Sequence, residues 1–237
     1  QVARRIQHHH PNLVVLPWWV PFWAVPFRTV TAYIKRFTRA KVIFICHNVL
    51  PHESGSLDRF WARLGMGQGD GFIAHSSVQV EQLLTIFPKA AVRCVPHPTY
   101  AAFGTGHWTK GTARQALGLN LEDKLLLFFG FIRPYKGLHH LLTERPDILK
   151  QVDVTLLVVG EFWSGKAETE SQIAQLGLGR QVRLIDQYIP NEEIELFFTA
   201  ADLVVLPYES ATGSGILQIA LGLGRPVVVT DVSGLAE

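Results

Sequence analysis

The sequence predicts an α/β fold built from two parallel sheets, and three observations lead there. Short runs rich in Val, Ile, Leu and Phe alternate with stretches of helical period along the chain. The runs are almost uniformly apolar, as strands covered on both faces must be. A single stretch rich in Gly, Thr and aromatic residues, HPTYAAFGTGHWTKGT at 97–112, interrupts the alternation near the middle.

In the first half, LVVL (13–16), KVIFICH (41–47), GFIAHS (71–76) and AVRCVP (91–96) read as strands. Helices fall near 23–37, 57–64 and 78–86, the last capped by Ser76 or Ser77, whose hydroxyl suits a first-turn amide. After the interruption, LLLFFG (125–130), VTLLVVG (154–160), VRLID (182–186), LVVLP (203–207) and PVVVT (226–230) are the strands. Helices are expected near 137–145, 168–176, 192–200 and 214–223, with Asn191 capping the third and Glu192 and Glu193 at its positive end. The reading is two Rossmann-like domains, 1–108 and 109–237. The first lacks its opening βα units and the second is truncated, since the chain begins at Gln1 and stops just after a strand.

Composition narrows the function classes. With 48% hydrophobic and 18% charged residues the chain can bury a core and is not disordered. Two cysteines, Cys46 and Cys94, build no disulfide framework, so a cytoplasmic setting is expected. Net charge is +2, yet residues 1–120 carry 13 Lys/Arg against 4 Asp/Glu, and the remainder carries 9 against 16. That asymmetry of +9 and −7 fits either an anionic partner for the first half or ordinary solvated side chains. The longest apolar segment, PNLVVLPWWVPFWAVPF (11–27), is interrupted by Pro17, Pro21 and Pro26 and does not span a membrane. Its Trp18, Trp19, Phe22 and Trp23 either enter a membrane interface or follow a core strand as a packed loop, the preferred reading.

In open parallel sheets, ligands bind beyond the carboxyl ends of the strands. At the first such end in the second half, FGFIRPYKGL places Gly130, Arg133, Lys136 and Gly137 between a strand and a helix. A guanidinium fork and an ammonium there suit phosphate oxygens, although exposed loop cations are the plainer reading. ATGSG (211–215) leads another strand into a helix, so Thr212, Gly213, Ser214 and Gly215 offer bare amides to an anion or simply cap the helix. Glu161 ends a third strand, where it accepts from a sugar or ribose hydroxyl or stays a solvated carboxylate. In the first half His47 follows a strand and could bond a sugar or an acceptor hydroxyl, with His75 and His97 as secondary candidates. His47, His52 and Glu53 have no metal-ligand spacing, and the His8–His10 run reads as an exposed turn.

Together these residues resemble the two-domain GT-B glycosyltransferases, specifically the retaining group called family 4. The resemblance covers nearly all 237 residues and is most specific at FGFIRPYKGL, at DQYIPNEEIELFFTAADLVVLPY (186–208), and at G-x-P-V-V-x-T-x-x-x-G from Gly224 to Gly234. It implies a nucleotide-diphosphate sugar as co-substrate, no metal and no other cofactor. Arg133 and Lys136 would contact the diphosphate, and His47 the transferred sugar. Transfer would proceed with retention, and the basic, aromatic first half suggests a glycan or lipid-linked acceptor at the inner face of a membrane, with no nucleic acid as partner. One departure stands out: the family's two glutamates, eight positions apart, fall on Ala211 and Ile219, leaving Glu209 and Gln218 as the nearest polar substitutes. A nucleotide-sugar epimerase or a non-catalytic binding module of the same fold are the alternatives, and the piece by itself is expected to be inactive.

Overall fold

The computed structural model describes residues 2–50, 56–143, 154–232 and 234–235. Contacts divide the chain into two compact units, Gln1–His97 and Pro98–Ala236. His52 and Glu53 lie outside the described residues.

The first unit is a four-stranded parallel sheet in the order β1 (Leu13–Trp18), β2 (Lys41–Cys46), β3 (Gly71–Ala74), β4 (Val92–Cys94). Its helices are α1 (Val2–His8), α2 (Ala24–Phe37), α3 (Ser56–Met66) and α4 (Ser77–Ile86). Helix α1 has no counterpart in the sequence reading. It carries no buried residue and too few apolar positions to set a period. Pro17 pairs with Ile45 on an edge strand, where a missing N–H costs little. Pro26 falls in the first turn of α2, where proline is tolerated. Ser76 is the cap of α4, accepting from the Gln79 amide at 3.4 Å.

The segment 11–27 divides between its two readings. Trp18 is fully buried among Phe27 and Phe44 and donates its indole N–H to the Val49 carbonyl at 3.3 Å. Trp19, Phe22 and Trp23, by contrast, stand exposed, Phe22 at 83%. The short 3₁₀ turn Pro21–Trp23 that presents them packs against α3, whose Leu57, Phe60 and Trp61 are exposed as well.

The second unit holds a five-stranded parallel sheet in the order β7 (Val182–Ile185), β6 (Val154–Val159), β5 (Lys124–Phe129), β8 (Leu203–Leu206), β9 (Val227–Val229). From β5 the chain first winds one way to β6 and β7, then crosses to β8 and β9. The reversal leaves a switch point between β5 and β8. Helices α5 (Lys110–Ala116), α6 (Leu138–Thr143), α7 (Lys166–Gln175), α8 (Ile194–Ala200) and α9 (Gly215–Gly222) cover it. Buried clusters lie on both faces of β5 and β6, which explains their uninterrupted apolar runs.

Residues 98–108 pack on this second unit. The Tyr100 amide donates to the Gln218 carbonyl at 3.1 Å. The buried Glu195 carboxylate accepts from Thr105 Oγ1 at 2.5 Å and from the Gly106 amide at 2.8 Å, and these bonds hold its pKa below the usual range despite burial. Helix α5, also absent from the sequence reading, starts at a reciprocal cap between Thr109 and Thr112. Its Arg114 is 1% exposed and donates to the Ala200 carbonyl at 3.0 Å and to Asp202 at 2.8 Å. Asp202 in turn accepts from the Leu125 amide at 2.8 Å, tying α5 to β5 and β8.

Candidate functional site

At the carboxyl edge of β5 the backbone turns sharply, with Gly130 at φ +100°. A β-carbon on Gly130 would lie 3.1 Å from Lys136 Nζ and 3.2 Å from Ile216 Cδ1. The ammonium and the first turn of α9 therefore meet over a glycine. Pro134–Lys136 form a single 3₁₀ turn, which ends at Gly137 in the left-handed region, φ +68°. There a β-carbon would sit 1.9 Å from the Pro207 carbonyl oxygen. The tight crossing over the end of β8 fixes where Lys136 stands and admits no side chain.

A cleft of about 210 Å³ opens at this point, and Gly130, Lys136, Gly160 and Glu161 line one side. Ile216 and Ile219 of α9 form another wall, and Gln187, Tyr188, Ile189 and Asn191 close it from the loop after β7. Lys136 is 7% exposed and has no ion-pair partner among the described residues. Its ammonium lies 5.5 Å from the Tyr208 ring centroid. Burial, aided by the neighbouring Arg133 charge, pulls the Lys136 pKa down to about 8. A cation held in that state is poised to gain from an arriving anion.

The other expected residues divide. Arg133 is half-buried and is not part of the lining, its guanidinium lying over Trp163 with 3.8 Å between Cζ and the ring centroid. Ser214 caps α9 by accepting from the Leu217 amide at 3.2 Å. The amides of Gly213, Gly215 and Ile216 have no hydrogen-bond acceptor among the described residues. Thr212, Gly213, Ser214 and Gly215 are not part of the cleft wall: the first two precede the Ser214 cap and Gly215 opens α9. Glu161 lines the cleft from an exposed position.

Asn191 caps nothing. It opens the 3₁₀ turn Asn191–Glu193 ahead of α8 and faces the cleft. Glu209 does not line the cleft; its Oε1 sits 3.0 Å from His140 Nε2 and 3.3 Å from His139 Nε2. Ala211 and Ile219 are buried, and Ile219 makes its part of the wall apolar. Gln187, Tyr188 and Ile189 have no site role in the sequence analysis, although their place at the end of β7 is the signal for one.

In the first unit His47 is half-buried and stacks on Trp19, ring centroids 4.2 Å apart. Burial and the nearby His75 and His97 lower its pKa.

The family model "Glycosyl transferases group 1" matches residues 109–237, more than half of the chain. The chain belongs to that family. Among curated relatives, a GDP-mannose:glycolipid 4-β-D-mannosyltransferase from Xanthomonas campestris is 27% identical over 195 residues, 81% of this chain and 51% of the relative. A D-inositol 3-phosphate glycosyltransferase from a Mycobacterium species is 30% identical over 178 residues, 71% of this chain and 38% of the relative. The chain thus spans about half or less of these relatives' length. Of solved structures, Anabaena Alr3699/HepE in complex with UDP superposes with a TM-score of 0.75 at 20% identity, covering 99% of this chain and 64% of the other. That likeness establishes the GT-B type of fold for this group 1 glycosyltransferase chain.

Proposed function

We propose that this chain is part of an enzyme that transfers a glycosyl unit from a nucleotide-diphosphate sugar to an acceptor hydroxyl. One observation carries the reading: a nearly buried lysine without a counter-charge, at a strand-end glycine beside the unpaired amides that open α9. A diphosphate supplies the missing charge at Lys136 and acceptors for those amides. As the sugar C1–O bond stretches, negative charge grows on the departing diphosphate, where Lys136 and the α9 amides stabilise it most. Arg133 adds positive potential from the same loop. The acceptor attacks from the face the diphosphate leaves, so the anomeric configuration is retained. The donor cleft requires no metal in this scheme, because fixed cations and amides do that work.

The acceptor is a glycan or a lipid-linked saccharide at the cytoplasmic face of a membrane. Support comes from the exposed Trp19, Phe22, Trp23 and Phe60 on a unit rich in Arg and Lys. No helix among the described residues is long and apolar enough to cross a bilayer.

Thermal shift of the full-length protein with UDP, GDP, ADP and their sugars tests the donor assignment. A diphosphate at a hundred times its Kd should stabilise by about 2.7 kcal/mol. Stabilisation by none of them would remove the assignment. The apolar Ala211 and Ile219 favour a second reading, donor binding without transfer. Product analysis separates the two: a glycosylated acceptor supports transfer, and an isomerised donor without acceptor would indicate an epimerase.

A further inference from the structure

Sequence spacing hides a second cluster, because its members stand at 47, 75 and 97. β2, β3 and β4 are neighbours in the first sheet, with Cys46 in register with Ala74 and Ala74 with Cys94. Their carboxyl ends therefore deliver His47, His75 and His97 to one place. Ring centroids are 5.3 Å apart for His47 and His75, 4.3 Å for His75 and His97, and 5.9 Å for His47 and His97. One nitrogen from each half-buried ring lies within 4.8 Å of the other two.

The surrounding bonds prepare these rings for a cation. His75 Nδ1 is 2.9 Å from the Val95 carbonyl oxygen, which can only accept, so Nδ1 carries the proton. That leaves the lone pair on Nε2, which is buried and has no hydrogen-bond partner among the described residues. A ring N–H fixed on a carbonyl with the other nitrogen bare is the usual posture of a metal-bound histidine. Gln79, 1% exposed, braces the site by accepting from the His75 amide and donating to the His47 carbonyl, each at 2.8 Å. Trp19 walls one side by stacking on His47. Burial and mutual proximity keep the His47 and His97 rings neutral, the form that ligates.

We infer that His47, His75 and His97 bind one divalent transition-metal ion of the zinc class, with the fourth position open to water or another oxygen ligand. Imidazole donors suit such ions, and three histidines with one open position is a familiar zinc arrangement. Zn–N bonds of about 2.0–2.1 Å put tetrahedral ligands about 3.4 Å apart, so small side-chain rotations close the site. The inference stands on the first unit alone and does not depend on the donor assignment.

Zinc titration of the full-length protein against a chromophoric chelator tests it. One equivalent should bind, and His75→Gln and His97→Gln should each weaken binding by at least roughly 100-fold. Variants His139→Ala/His140→Ala and His8→Ala/His9→Ala/His10→Ala should keep it, since those exposed histidines are the competing sites. Retained affinity in His75→Gln and His97→Gln, or no zinc bound below about 100 µM, overturns the inference. If either glutamine variant fails to fold, X-ray absorption of the zinc-loaded wild type decides. Three imidazole nitrogens at about 2.0–2.1 Å support the site, and an oxygen-dominated shell removes it.

Discussion

Replacing Lys136 by Met should make the protein more stable and donor binding weaker at the same time. The Lys136 pKa falls from 10.5 to about 8 on folding, chiefly through burial, then through Arg133. A lowered lysine pKa means that the folded state disfavours the charged form. The penalty is therefore full below about pH 8 and vanishes as pH rises through 10.5. At about 1.36 kcal/mol per pK unit, the difference is about 3 kcal/mol. Methionine keeps the apolar stem and removes the desolvated charge, so Lys136→Met should gain up to about 3 kcal/mol at pH 7. The gain should shrink as pH rises from 8 towards 10.5. Urea unfolding of wild type and variant at pH 7 and pH 10.5, followed by circular dichroism, measures both values, and pH effects at other sites cancel in the difference. Nucleotide-diphosphate stabilisation should be lost in the variant over the same range. A variant no more stable than wild type at pH 7, or a gain equal at both pH values, would refute the claim that this cation waits unpaired for an anion.

Gly137→Ala should destabilise the second unit by about 4 kcal/mol, read in the same assay, because φ +68° and the Pro207 carbonyl leave no place for a methyl group. Arg114→Met should cost about 2 kcal/mol by removing its bonds to the Ala200 and Leu121 carbonyls and to Asp202, which keeps Lys110 and the Leu125 amide, and thermal melts will register it. Phe22→Ser should lower co-sedimentation with anionic vesicles roughly tenfold while leaving the melting temperature unmoved, since that ring is already 83% exposed.

Most strands of the two sheets were legible because they are buried on at least one face, and burial writes itself into apolar runs such as LLLFF and VTLLVV. Helices α1 and α5 were not. The first buries nothing, and the second follows a Gly- and Thr-rich stretch whose cap pairs two threonines instead of Thr with Glu. The membership of 98–108 in the second unit was equally hidden, since it depends on Glu195, nearly ninety positions further along the chain, accepting from Thr105 and Gly106.

By itself, the sequence determined the α/β class, the strand-end position of Gly130, Lys136 and the α9 cap, and the apolar character of Ala211 and Ile219. These are local properties: period, glycine placement and residue type. Only the tertiary structure decided that Lys136 is buried while Arg133 lies on Trp163, that Glu209 is taken up by His139 and His140, and that three distant histidines share one strand edge. Each depends on desolvation or on strand order, and neither is a function of neighbours in sequence.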